Sequence, residues 1–181
     1  FNAADSLARI AEVLGALPGP SIDALREALN HSERDMRLAA VRALGAAGGR
    51  RSGPALAERL QDDDSFVRAE AVRACARLEC AWTEVKALLD DPDPSVRLAA
   101  AGAVAQAGGD DAIATLVDFA FAFEGYHRRQ AARLLRGTNA ETASARFLAV
   151  LGDEERIRTW PVAIEALEEL NRRDSVASSI A

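Results

Sequence analysis

The chain has 181 residues, 49% hydrophobic and 28% charged, with a formal net charge of −6. That balance excludes an intrinsically disordered chain and argues against nucleic-acid binding by the chain as a whole. Aromatic residues make up only 5%, so small side chains carry the core, which suits close helix-on-helix packing.

Apolar residues at helical spacing predict a first helix over 3–16, ending at Leu14-Gly15. Helices over 21–30 and 33–47 follow, and Gly48-Gly49 stops the second of them. A helix over 54–61 runs into Asp62-Asp63-Asp64-Ser65, an acidic start signal for a helix over 65–78. The next pair is a helix over 81–90 and one over 94–107. Between them Asp93 can cap the second, with Pro94 at its first position, where a missing N–H costs nothing. Gly108-Gly109 separates this pair from helices over 110–122 and 125–136, the latter closed by Gly137. Helices over 140–151 and 155–171 complete the series. The polar segment 172–181 has no period and reads as a tail.

One nine-residue pattern returns through this series. It reads Arg37-Leu38-Ala39-Ala40-Val41-Arg42-Ala43-Leu44-Gly45, then starts again at Arg68, Arg97 and Arg128, with spacings of 31, 29 and 31. A weaker copy begins at Trp160. A second set of columns precedes each copy: Leu25, Leu56, Val85, Leu116 and Phe147, and four residues later Leu29, Leu60, Leu89, Ala120 and Leu151. Apolar residues at i and i+4 share one helix face. Each repeat is therefore a helix pair, and the fold class is an all-α solenoid of stacked pairs over residues 1–171. The helix over 3–16 is half a repeat. It either caps the stack or marks the end of a longer array, and Phe1 in place of an initiator methionine raises the same expectation of processing or a longer parent chain.

The motif of Asp64 with Arg68, Asp93 with Arg97, and the Ala-Ala-x-Ala-Leu-Gly run after Arg37 resembles the HEAT repeats. More narrowly it is similar to the short bacterial type first noted in phycobilin lyases. Glu33 and Glu124 stand in for the aspartate before Arg37 and Arg128. The resemblance implies a right-handed α-α superhelix of about five and a half helix pairs, with the second helices lining a concave surface. It also implies that the aspartate and arginine columns form an internal ladder between repeats, which makes Arg37, Arg68, Arg97 and Arg128 structural.

On the second helices, stepping by four from the residue after each leading arginine marks one face. It carries Arg42, then Arg73 and Arg77, then Gly102, then Arg129 and Arg133, with Arg136 one turn on. These six arginines form the expected partner-binding stripe, and the expected partner is a protein with an acidic segment, because an arginine fork matches a carboxylate. The competing reading is a solvated polar face. Trp82 opens a first helix, and Trp160 reads as a cap over the end of the stack, or second as a contact residue.

No catalytic, cofactor or metal site is expected. His31 and His127 have no further histidine or cysteine at ligand spacing, and they lack the adjacent glutamates of the iron-binding HEAT-like hydroxylases. Cys75 shares a column with Leu44, Val104 and Leu135, so it reads as a small core residue, and with Cys80 it matches no zinc spacing. No apolar run reaches the ~18 residues of a membrane helix, and no signal peptide opens the chain, so the expected location is the cytoplasm. The functional expectation is a non-catalytic scaffold or regulatory module. A phycobilin-lyase-like subunit is the alternative, and a HEAT-like nucleic-acid binder, argued only by the arginines, is a third.

Overall fold

The computed structural model describes residues 19–47, 49–122, 125–135 and 138, together with positions 142, 145, 148 and 149, which are helical. The helices expected over 3–16 and 155–171, most of that over 140–151, the tail, Trp160 and Arg136 lie outside the described residues. Contacts divide the chain into two compact units, Phe1–Val104 and Ala105–Ala181.

Every element among the described residues is helical. In the first unit these are α1 (Gly19–Ala28), α2 (Arg34–Ala47), α3 (Gly53–Glu58), α4 (Ser65–Arg77), α5 (Trp82–Ala87) and α6 (Pro94–Gln106), whose last residues pass the unit boundary. The second unit holds α7 (Asp110–Ala122) and α8 (Tyr126–Leu135), packed against one another. The two helices of a repeat pack together (α1 on α2, α3 on α4), and α2 lies along α4, its counterpart in the next repeat.

The repeat columns are the core. Leu25, Leu56, Val85 and Leu116 are buried, as are Leu44, Cys75, Val104 and Leu135. Ala40, Ala71, Ala100 and Ala131, all at the same motif position, have no exposed surface at all. Burial pushes the Cys75 thiol well above the usual range, with the Cys80 sulfur adding to the shift, so Cys75 behaves as an inert core residue.

Two of the predicted helices end differently from expectation. The segment 54–61 is α3 followed by a 3-10 turn, Arg59–Gln61, and the segment 81–90 is α5 followed by a 3-10 turn, Leu88–Asp90. Tightening the last turn satisfies carbonyls that an α-helix would leave orphaned. Here the Asp62 N–H donates to Arg59 C=O (3.2 Å) and the Asp91 N–H to Leu88 C=O (3.2 Å). The chain then leaves in extended conformation, at φ −60°, ψ 144° for Asp62 and φ −58°, ψ 141° for Asp91. The same exit therefore delivers an aspartate to the same place in consecutive repeats.

Those aspartates meet the leading arginines. Arg37 donates through Nε and Nη2 to the two carboxylate oxygens of Asp62 (2.9 and 2.8 Å), and Arg68 does the same to Asp91 (2.9 and 2.9 Å). The remaining Nη1 of each arginine turns back to its own repeat. Arg37 reaches the carbonyls of His31 and Ser32, Arg68 those of Asp62 and Asp63, and Arg97 those of Asp91 and Pro92. The expected ladder thus joins neighbouring repeats, but its aspartates are Asp62 and Asp91, two residues before those the motif suggested. Asp64 instead caps α4, accepting from the Phe66 and Val67 N–H groups, and Asp93 accepts from the Ser95 N–H.

A second constraint sits where α2 crosses α4. A Cβ added at Gly45 would lie 2.7 Å from Ala74 Cβ and 3.2 Å from Ala74 Cα. Glycine at the end of the motif is therefore set by the approach of the neighbouring helix.

Two predictions follow from these contacts. Gly45→Ala gains up to ~1 kcal/mol of helix propensity but costs about 1–3 kcal/mol of overpacking. Urea denaturation should show net destabilisation, partly recovered by adding Ala74→Gly, since the Ala74 backbone is also close. A Gly45→Ala variant more stable than wild type would refute the close approach.

The second concerns acid. Burial pushes the Asp62 carboxyl up, but the Arg37 hydrogen bonds, the Asp64 N–H and the charges of Arg37 and Arg59 outweigh it and hold it below its ordinary 3.8. A depressed carboxyl stabilises the fold above the unfolded value, and that contribution is lost as pH falls through the folded value. Asp62→Asn should cost roughly 3 kcal/mol at neutral pH, as for a broken buried pair. Its deficit against wild type should shrink as pH drops below 3.8; a deficit that stayed constant in acid would contradict the ion pair.

Candidate functional site

Three arginines of the expected stripe lie in the first unit, and all three are exposed: Arg42 on α2, Arg73 and Arg77 on α4. Their side chains are 46–48% exposed, against 14–15% for the ladder arginines Arg37 and Arg68. The helical repeat produces the difference. Arg68 and Arg73 are five residues apart, which turns them to different sides of α4.

The exposed arginines converge on one carboxylate. Glu70, only 12% exposed, accepts a hydrogen bond from Arg73 Nη1 at 3.1 Å. Arg42 Nε lies 3.7 Å from the same oxygen, and Arg77 Nη2 lies 3.8 Å from the other. Glu70 and Arg73 are three apart and Arg77 is seven from Glu70, so α4 presents them along one face. Arg42 reaches across from the neighbouring repeat. Three guanidinium groups from two neighbouring repeats thus surround one carboxylate.

Glu70 lies within the second copy of the motif, two residues after Arg68, where the spacing of the arginines does not single it out. Its i+3 and i+7 spacing to Arg73 and Arg77 was the available signal. Several other positions on the expected face are closed. Ala69, Leu98 and Gly102 are buried. In the second unit Arg129 and Arg133 are exposed on α8, four residues apart and so on one face. Arg136 is outside the described residues.

Among the described residues no group of three or more His, Cys, Asp or Glu side chains is placed to hold a metal ion. No described helix is long and apolar enough to cross a membrane. His31 occupies the column of Asp62 and Asp91, and its Nδ1 accepts from the Glu33 N–H at 3.0 Å just as those carboxylates accept from Asp64 and Asp93. Its place is that of a turn-forming residue.

The family model for HEAT repeats matches residues 3–76 and 66–122, which is more than half of the chain. The chain belongs to the HEAT-repeat family. Among solved structures, this HEAT-repeat chain is similar to a designed armadillo repeat protein in complex with the peptide (KR)4, at 19% identity and a TM-score of 0.51, covering 91% of each chain. It is also similar to an engineered protein from the Northeast Structural Genomics Consortium, at 23% identity and a TM-score of 0.51, covering 93% of this chain and 90% of that one. At these identities the likeness is one of fold, an all-α repeat solenoid. No curated protein matches the chain.

Ladder and face arginines should separate in a stability experiment. Arg68→Ala strands a buried Asp91 carboxylate and should cost about 3 kcal/mol. Arg73→Ala and Arg42→Ala, which remove half-exposed pairs, should each stay within ~1 kcal/mol of wild type. Equal losses in thermal melts of the three variants would erase the distinction.

Proposed function

We propose that this HEAT-repeat chain is a non-catalytic recognition module that binds an acidic segment of a partner protein through the arginine-bearing face of its second helices. The observation that carries the reading is the convergence of Arg42, Arg73 and Arg77 on Glu70. The face already meets one carboxylate with guanidinium groups drawn from two repeats. Half-exposed arginines keep their donors within reach of a ligand, and a planar fork suits a carboxylate better than a lysine would.

A solenoid of this fold has been solved with a charged peptide, (KR)4. The charge that α2 and α4 display calls for a peptide of the opposite sign. The exposed Arg129 and Arg133 of α8 extend the same chemistry to the second unit.

The test is a pull-down from the source cells with wild type and with the triple variant Arg42→Glu, Arg73→Glu, Arg133→Glu. Circular dichroism confirms that both fold. The expected outcome is a protein retained by wild type and released by the variant, with retention falling steeply as salt is raised. Equal retention by both would exclude this face as the site.

A further inference from the structure

Beside the arginine cluster lies an aromatic side chain that neither the ladder nor the core uses. Phe66 is 61% exposed, in a chain with few aromatic residues. It precedes Glu70, Arg73 and Arg77 by four, seven and eleven positions, so all four share one face of α4. The Arg34 guanidinium stands 5.6 Å over the Phe66 ring centroid. Arg34, Leu38 and Arg42 are spaced by four and share one face of α2. Arg34 meets Phe66 and Arg42 meets Glu70, so the two faces run side by side in register. The result is a strip with an apolar end at Phe66 and a cationic end, Arg42, Arg73 and Arg77, with the half-buried Leu38 between Arg34 and Arg42 on the α2 face.

We infer that this strip recognises a bipartite peptide: one aromatic or large apolar side chain that settles on Phe66, and carboxylates that meet the arginines. The inference rests on the acidic-partner reading above and adds a second, apolar determinant with a defined spacing. At 1.5 Å per residue, Phe66 lies roughly 10 Å from Arg73 and 16 Å from Arg77 along α4. An extended peptide rises about 3.3 Å per residue, so its carboxylates fall three to five residues from its anchor. An exposed phenylalanine with a guanidinium over its ring is the composition of a recognition hot spot. Since Arg34 is itself paired with Asp35 (3.0 Å) and lies 3.8 Å from Asp64, the peptide's carboxylates are met by Arg73 and Arg77 rather than by Arg34. A nucleic acid is disfavoured because Glu70 sits in the middle of the strip and the chain carries a net charge of −6. The second unit repeats the pattern on α8, where Tyr126 is 57% exposed and Arg133 follows seven residues later, the spacing of Phe66 and Arg73.

The experiment measures binding of labelled peptides by fluorescence anisotropy. The anchored probe reads Trp-Ser-Ser-Glu-Glu-Glu, and the control replaces its Trp by Ser; each is made in both chain directions. The expected result on wild type is binding of both, with the better-oriented Trp probe roughly tenfold tighter, about 1.4 kcal/mol. Phe66→Ala should abolish that advantage while leaving the control peptide's affinity unchanged. Arg73→Gln with Arg77→Gln should weaken both peptides alike. Phe66 is exposed, so Phe66→Ala should melt with wild type, and thermal melting verifies it. Equal affinity of the two peptides for wild type, or a Trp advantage that survives Phe66→Ala, would overturn the bipartite site while leaving the acidic reading intact. Binding of neither peptide would overturn both. A dT12 oligonucleotide bound more tightly than either peptide would also overturn both, in favour of base stacking on Phe66.

Discussion

The bidentate contact between the leading arginine of one repeat and an aspartate of the next is the constraint on which the first unit depends. Each guanidinium satisfies three places at once: the carboxylate across the repeat boundary and two loop carbonyls on its own side. Its carboxylate partner has a further duty. Asp62 also accepts the Asp64 N–H, and Asp64 caps α4; Asp91 accepts the Asp93 N–H in the same way. The start of one second helix is thereby tied to the arginine of the helix before it. A lysine could supply the charge but not the fork, so it would hold the repeats together without fixing their register.

Register is what the exposed face needs. Arg42 and Glu70 belong to different repeats, as do Arg34 and Phe66. Their contacts exist because α2 and α4 start at matched heights and approach as closely as Gly45 and Ala74 allow. The ladder and the face therefore divide one residue type between two tasks. Arginines sheltered between repeats are consumed by structure, and arginines five residues further along the same helices are left at the surface, where their pairs add little to stability.

The fold was legible because a repeat states its core many times over. Four copies of the alanine-rich motif and two apolar columns located α1 to α8 with small errors at their ends. The ladder aspartates were harder. Asp64 and Asp93 sit four residues before an arginine, a spacing that suggests a side-chain pair on a helix, yet they lie at the cap, where their oxygens face backbone N–H groups. Only the 3-10 exits after Glu58 and Ala87 bring Asp62 and Asp91 into reach, and hydrophobic periodicity does not register a tightened last turn. The face was legible in its cations and not in its other members. Glu70 and Phe66 are unremarkable within one copy of the motif, and they acquire meaning only when α2 is laid beside α4.

A chain with net charge −6 can still favour an acidic ligand because charge acts locally in salt. The Debye length at physiological ionic strength is about 8 Å, shorter than the roughly 16 Å from Phe66 to Arg77 along α4. In the proposed reading a ligand's carboxylates on this strip would be governed by Arg42 of α2 and by Glu70, Arg73 and Arg77, which lie further along α4 from its acidic start at Asp64. The surplus negative charge works at longer range, where it would slow the approach of an acidic ligand, and increasingly so as salt is removed. Local attraction and global repulsion thus respond to salt in opposite directions. That opposition favours partners whose affinity includes an apolar contact such as Phe66 provides, since apolar burial is the one component that screening leaves in place.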